Sequence, residues 1–121
     1  MIKPTILIAE GDPECLGFLR ETLEDEGFKI MGASDGEKAI DILSEIKPDV
    51  IVTELMMPSV SGGDLIRYVR KNTALSRVPI VVASTYGKAY ESEALKAGAT
   101  VVLQKPIDMN LLIDTIKNNH M

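Results

Sequence analysis

Four short apolar runs in this chain each end in polar residues able to hold a charged group. Thr5-Ile6-Leu7-Ile8-Ala9 leads into Glu10, Gly11 and Asp12. Val50-Ile51-Val52 leads through Thr53 into Glu54. Ile80-Val81-Val82-Ala83 leads into Ser84 and Thr85, and Val101-Val102-Leu103 into Gln104, Lys105 and Pro106. Brought together, two carboxylates, a hydroxyl and a lysine would suit a phosphoryl group or a cation. Ammonium and hydroxyl groups pair with phosphate oxygens, and carboxylates hold hard cations. Whether they meet depends on the elements that carry them.

Those runs alternate with stretches of helical spacing. Asp12 and Pro13 form a cap and first turn, Leu16, Leu19 and Leu23 follow on one face, and Gly27 stops the helix. Phe28 to Ser34 reads as a second strand. Asp35-Gly36 turns into a helix carrying Ala39, Ile40 and Leu43, broken by Pro48-Asp49. A loop from Glu54 to Gly62 precedes a helix from about Gly63 to Asn72. A helix through Ala89, Ala94 and Leu95 ends at Gly98, and Asp108 caps the last one, with Leu112, Ile113 and Ile116 on its apolar face. Asn118 to Met121 read as a frayed end, and Met1-Ile2-Lys3-Pro4 runs straight into the first strand.

Continuously apolar strands are covered on both faces, as in a parallel sheet. Right-handed crossovers then predict an α/β fold: a doubly wound five-stranded parallel sheet with five helices, in one domain over residues 1–121. In such a sheet the crevice lies beyond the carboxyl ends of the strands. Glu10, Gly11, Asp12, Glu54, Ser84, Thr85 and Lys105 should therefore converge.

Composition narrows the function. The 121 residues carry a net charge of -5, which argues against direct binding to nucleic acid. No stretch is apolar for long enough to serve as a membrane span or signal peptide. The single cysteine, Cys15, has no partner for a disulfide and reads as a small buried hydrophobe, so the expected setting is the cytoplasm. The only histidine, His120, has no partner at metal-ligand spacing.

The ordered set of motifs resembles the receiver domains of two-component response regulators. Ile6 to Pro13 is similar to the first strand and its acidic pair. Pro48 to Pro58 is similar to the segment that carries the phosphorylated aspartate, and Gly62 to the glycine a few residues later. Pro79 to Thr85 and Gly98-Ala99 with Lys105-Pro106 complete the series, which spans Ile6 to Ile116. The resemblance implies a flavodoxin-like fold with strand order 2-1-3-4-5, a role in phosphorelay signalling, no enzyme activity of its own, and a histidine kinase or downstream effector as partner.

Departures from the family pattern shape the functional expectation. Glu54 stands at the phosphoacceptor position, one methylene longer than aspartate. Gly11 stands where the second acid of the pair would touch the metal. In-line phosphoryl transfer needs close positioning, and Mg²⁺ needs octahedral oxygen geometry. A degenerate site is therefore expected, with no resident cofactor and at most weak Mg²⁺ at Glu10, Glu54 and the Met56 carbonyl. Asp12 is a substitute ligand or simply a helix cap. Ser84 matches the family's phosphate-binding hydroxyl, and Lys105 its phosphate-pairing lysine. Val102 replaces the family's switch aromatic. Tyr86 and Tyr90 are expected four apart at the start of the fourth helix as a partner surface.

Glutamate can imitate a phosphorylated aspartate, but with less charge. One dominant conformation with Glu54 paired to Lys105 is the expectation. A phosphorylation-independent interaction module leads the readings. The alternatives are a phosphoaccepting receiver with unusual site residues and a flavodoxin-like cofactor binder, whose phosphate loop would here be the repelling Glu10-Gly11-Asp12-Pro13-Glu14.

Overall fold

The computed structural model describes residues 2–120, so Met1 and Met121, which the sequence placed in the leading and frayed ends, lie outside the described residues. The elements run β1 (Thr5–Ala9), α1 (Pro13–Asp25), β2 (Lys29–Ala33), α2 (Gly36–Leu43), β3 (Val50–Thr53), α3 (Gly62–Lys71), β4 (Ile80–Ser84), α4 (Glu91–Ala97), β5 (Val101–Gln104) and α5 (Met109–Asn119). All strands are parallel, in the order β2-β1-β3-β4-β5. The predicted doubly wound architecture is the observed one.

Strand residues alternate between two cores. Leu7, Ala9, Ile51, Ile80 and Val82 face α2, α3 and α4, where Leu43, Leu65, Ile66 and Val69 pack. Ile6, Ile8, Val50, Val52, Val81 and Ala83 face α1 and α5, against Leu19, Leu23, Leu112 and Ile116. Because both faces are covered, the strand centres are apolar, with polar residues only at the strand ends. Each fully buried Leu or Ile contributes about 1.5–3 kcal/mol, enough to fix the register that brings the strand ends level. Ala9 pairs with Thr53 and Ser84 with Gln104.

Caps set where the helices start. The side chains of Asp12, Asp35, Ser61 and Asp108 each accept an N–H of the following turn. Several boundaries differ from expectation. β2 is shorter than Phe28–Ser34, and α2 ends at Leu43, before Pro48 is reached. Asn118 and Asn119 are helical rather than frayed, since the Asn119 side chain donates to the Thr115 carbonyl at 2.8 Å and prolongs the turn.

The largest correction concerns α4. It begins at Glu91, so Ala89 and both tyrosines precede it in a turn, with Tyr90 at the cap. Gly87 explains the delay. A Cβ there would come within 2.9 Å of the Leu103 carbonyl oxygen, so the turn lies against β5. Gln104 pins it: its Oε1 accepts the Lys88 N–H at 2.7 Å, and its Nε2 donates to the Thr85 carbonyl at 2.6 Å. Among the described residues no helix is long and apolar enough to cross a membrane.

Candidate functional site

At the carboxyl ends of β1, β3 and β5 three charged side chains meet. Lys105 Nζ donates to Glu10 Oε1 at 2.6 Å and to Glu54 Oε1 at 3.0 Å. Glu10 and Glu54 are nearly buried, at 5% and 8% exposure. The sheet delivers both acids: the backbone N–H of Glu54 bonds the Ala9 carbonyl, and that of Glu10 bonds the Ala33 carbonyl. The expected pairing of Glu54 with Lys105 is present, but Lys105 also holds Glu10, at the shorter distance.

The second oxygens are engaged as well. Glu54 Oε2 accepts the Leu55 N–H at 2.6 Å and lies 3.5 Å from the Met56 nitrogen. Glu10 Oε2 accepts the Asp12 N–H at 3.0 Å. A buried carboxylate must have its lone pairs occupied, and here lysine and local backbone donors do so. Burial pulls the Lys105 ammonium towards neutrality. Hydrogen bonds and charge from Glu10 and Glu54 outweigh that and hold it above the ordinary lysine value.

Other expected site residues are near the pocket without joining this cluster. Asp12 is exposed, and its carboxylate caps α1 through the Glu14 N–H at 3.0 Å. Gly11 is exposed at the rim. A Cβ there would meet nothing nearer than the Ser34 carbonyl oxygen at 3.6 Å, so the position has room for a side chain. Ser84 is fully buried, and its hydroxyl accepts the Tyr86 N–H at 3.0 Å. Thr85 is exposed and takes part through its carbonyl, in the Gln104 clamp. Val102 is half-buried against the α2–α3–α4 core.

Tyr86 and Tyr90 are both exposed, with ring centroids 6.3 Å apart. Both lie in the turn before α4. His120 lies far from all of this, 3.9 Å from Asp49 at the start of β3.

Cys15 was expected as a small buried hydrophobe. It is half-buried instead, on the first turn of α1. Burial, with the charge of Glu10, raises its thiol above the ordinary value, while Lys105 acts in the opposite sense. The signal in the sequence was its place three residues after the Asp12 cap, on the turn that begins beside Glu10.

The donor set does not fit a divalent cation as arranged. A cation would compete with the Lys105 ammonium for both carboxylates. Among the described residues no three of His, Cys, Asp and Glu are placed to hold a metal ion.

A parallel sheet in this order, with acids ending β1 and β3 and a Lys-Pro ending β5, defines a receiver-type α/β domain. Residues 6–117 match the response regulator receiver domain family, and the chain belongs to it: it is a receiver domain of two-component systems. The probable transcriptional regulator ycf29 of Pyropia yezoensis is 30% identical over 93% of this chain and 51% of its own length. The chain thus spans about half of that relative. The polar-differentiation response regulator DivK of Brucella anthropi is 24% identical over 94% of both chains.

Solved structures agree. A sensor protein from Polaromonas superposes with a TM-score of 0.91 at 29% identity, over 98% of this chain and 96% of that one. The receiver domain of a Pseudomonas aeruginosa sensor histidine kinase has a TM-score of 0.89 at 22% identity, over 97% of both chains. It shares the fold, and its structure has a magnesium ion coordinated in the active-site cleft.

Proposed function

We propose that this receiver domain is a pseudo-receiver: a non-enzymatic, phosphorylation-independent interaction module of a cytoplasmic two-component pathway. One observation carries the reading. Both oxygens of Glu54 are engaged, Oε1 by Lys105 and Oε2 by the Leu55 N–H. A nucleophilic carboxylate needs a free oxygen in line with the donor phosphorus, and the lysine must be available to the incoming charge. Here the lysine already carries two acids. Gly11 supplies no third carboxylate, so Mg²⁺ binding is weak. The Ser84 hydroxyl is bonded to the Tyr86 N–H, within its own turn.

The partner is a protein of the same pathway, a histidine kinase or a downstream effector. The net charge of -5 disfavours nucleic acid as a partner.

The test is incubation with a small acyl-phosphate donor and Mg²⁺, read by intact mass. The wild type is expected to gain no phosphoryl group. A gain of one phosphate that disappears in Glu54→Ala would establish an unusual but working phosphoacceptor and overturn the reading. The Glu54→Asp, Gly11→Asp pair is expected to gain a Mg²⁺-dependent adduct. It shortens the nucleophile and places the missing carboxylate where a Cβ has room.

A further inference from the structure

A small cavity of about 150 Å³ opens beside the carboxylate pocket, on the other side of the β3–α3 loop. Leu55 and Met56 of that loop line it, with Gly63 from α3, Tyr90 from the turn that caps α4 and Ala94 from α4 itself. Arg67 of α3 and Glu93 of α4 add opposite charges to the lining. Met56 and Tyr90 are exposed, at 48% and 43%. Large apolar side chains left in solvent around a concavity mark a contact site more than a stable bare surface.

Gly63 supplies a second argument. Its neighbour Gly62 has to be glycine, because a Cβ would run into the Glu54 carbonyl oxygen and lie 2.7 Å from Leu55 Cα. Gly63 is under no such constraint. A Cβ there would meet only Arg67 Nη1 at 3.5 Å and Ser61 Oγ at 3.8 Å, ordinary contact distances. Glycine in a helix costs up to about 1 kcal/mol relative to alanine. At Gly63 the missing side chain leaves the cavity open.

We infer that the cavity receives one apolar side chain of a protein partner. That segment carries a carboxylate towards Arg67 and an amine towards Glu93. The inference rests on the interaction-module reading and names its contact surface. The size selects the guest: cofactor and drug-sized sites run from about 300 Å³ upward, so this one suits a leucine- or methionine-sized group. The charges select its flanks. Arg67 is shared with Asp64 at 3.0 Å in an exposed pair, which contributes little and exchanges easily. The Leu55 and Met56 amides that face Glu54 belong to the residues of this wall, so the closed pocket braces the open cavity.

The test uses the full chain, ¹³C-labelled at methionine and alanine methyls, titrated with acetyl-Glu-Leu-Lys-amide and with the reverse order, acetyl-Lys-Leu-Glu-amide. At least one order is expected to give saturable shifts at the Met56 and Ala94 methyls, with Kd on the order of 1 mM. Replacing the peptide leucine by alanine should weaken binding about tenfold. Gly63→Leu, which fills the cavity, should abolish it while the strand amides keep their shifts. Glu93→Lys, an exposed charge reversal, should weaken the preferred peptide without disturbing the fold. Absence of saturation, equal binding of the alanine peptide, or shifts that survive both variants would overturn the inference. The phosphodonor assay reads Glu54 and not this cavity, so the two proposals fail separately.

Discussion

The two sides of the β3–α3 loop treat their side chains in opposite ways. On the inner side Glu54 is buried, its charge is paired, and its oxygens are occupied. On the outer side Met56 and Tyr90 stand in solvent around an unfilled cavity. A phosphoaccepting site needs the reverse on its inner side: an exposed nucleophile and unsatisfied donors waiting for charge. On the pseudo-receiver reading proposed above, the inner side is closed to chemistry and the outer side open to contact, and a receiver fold would keep a recognition surface while its reactive centre serves as internal scaffolding.

The sharpest way to break the comparison is to empty the inner side. Lys105→Met leaves two nearly buried carboxylates facing each other without a cation. Removing one member of a buried ionic group costs about 3–5 kcal/mol, and the Lys105 side chain is 18% exposed, so about 3 kcal/mol is expected in urea unfolding. The pH dependence has a definite sign. A lysine held above its ordinary value in the folded state stabilises fully below its unfolded value, about 10.4, and the contribution is lost as pH rises further. The gap between wild type and variant should stay level from about pH 7 to about pH 10 and close above that. A loss below about 1 kcal/mol would mean that the pocket is solvated and the two sides are not distinct.

Adjacent glycines sharpen the comparison next. Gly62→Ala pushes a methyl group into the Glu54 carbonyl, which is part of the loop itself. Overpacking of this kind costs about 1–3 kcal/mol, and the strained loop should disturb the Lys105–Glu54 pair. Gly63→Ala meets a flexible arginine end and the Ser61 hydroxyl at ordinary contact distances and should stabilise α3 by up to about 1 kcal/mol. Paired thermal melts check both. Equal effects would show that the loop does not separate a tight side from an open one.

Much of this arrangement was legible in the chain. Apolar runs without alternation gave the strands, and cap residues located α1 and α5. The polar residues after β1, β3 and β5 include the three that gather, Glu10, Glu54 and Lys105, while Ser84 and Asp12 accept local backbone N–H groups instead. What was missed depends on non-local packing. Lys105 had two acids within reach, and spacing alone could not say that it would hold both. The fourth helix reads as running through Ala89, with Tyr86 and Tyr90 at its start, because these residues suit a helix. The tertiary constraint at Gly87, pressed on β5 and clamped by Gln104, delays it to Glu91. Cys15 was read as buried and is half-buried, packed at the edge of the α1–α5 core; the sequence did not show Lys105 as its neighbour, because that residue comes from the distant end of β5.

That cysteine offers the finest probe of the inner side. Its thiol is held above the ordinary value by burial first, then by the charge of Glu10, with Lys105 pulling the other way. Glu10→Gln removes one raising influence and leaves the cation. The thiol should therefore ionise more readily. Only the thiolate is alkylated, so the rate at a fixed pH near 8 should rise, roughly threefold to tenfold. Burial remains, so the reactivity should stay below that of a free thiol. The conservative change keeps a hydrogen-bonding side chain at position 10, which limits any loss of fold, and unchanged strand amide shifts would verify that. An unchanged alkylation rate would mean that Glu10 is screened by water from its neighbour. The inner side would then be an open crevice, and the contrast across the loop would rest on the outer cavity alone.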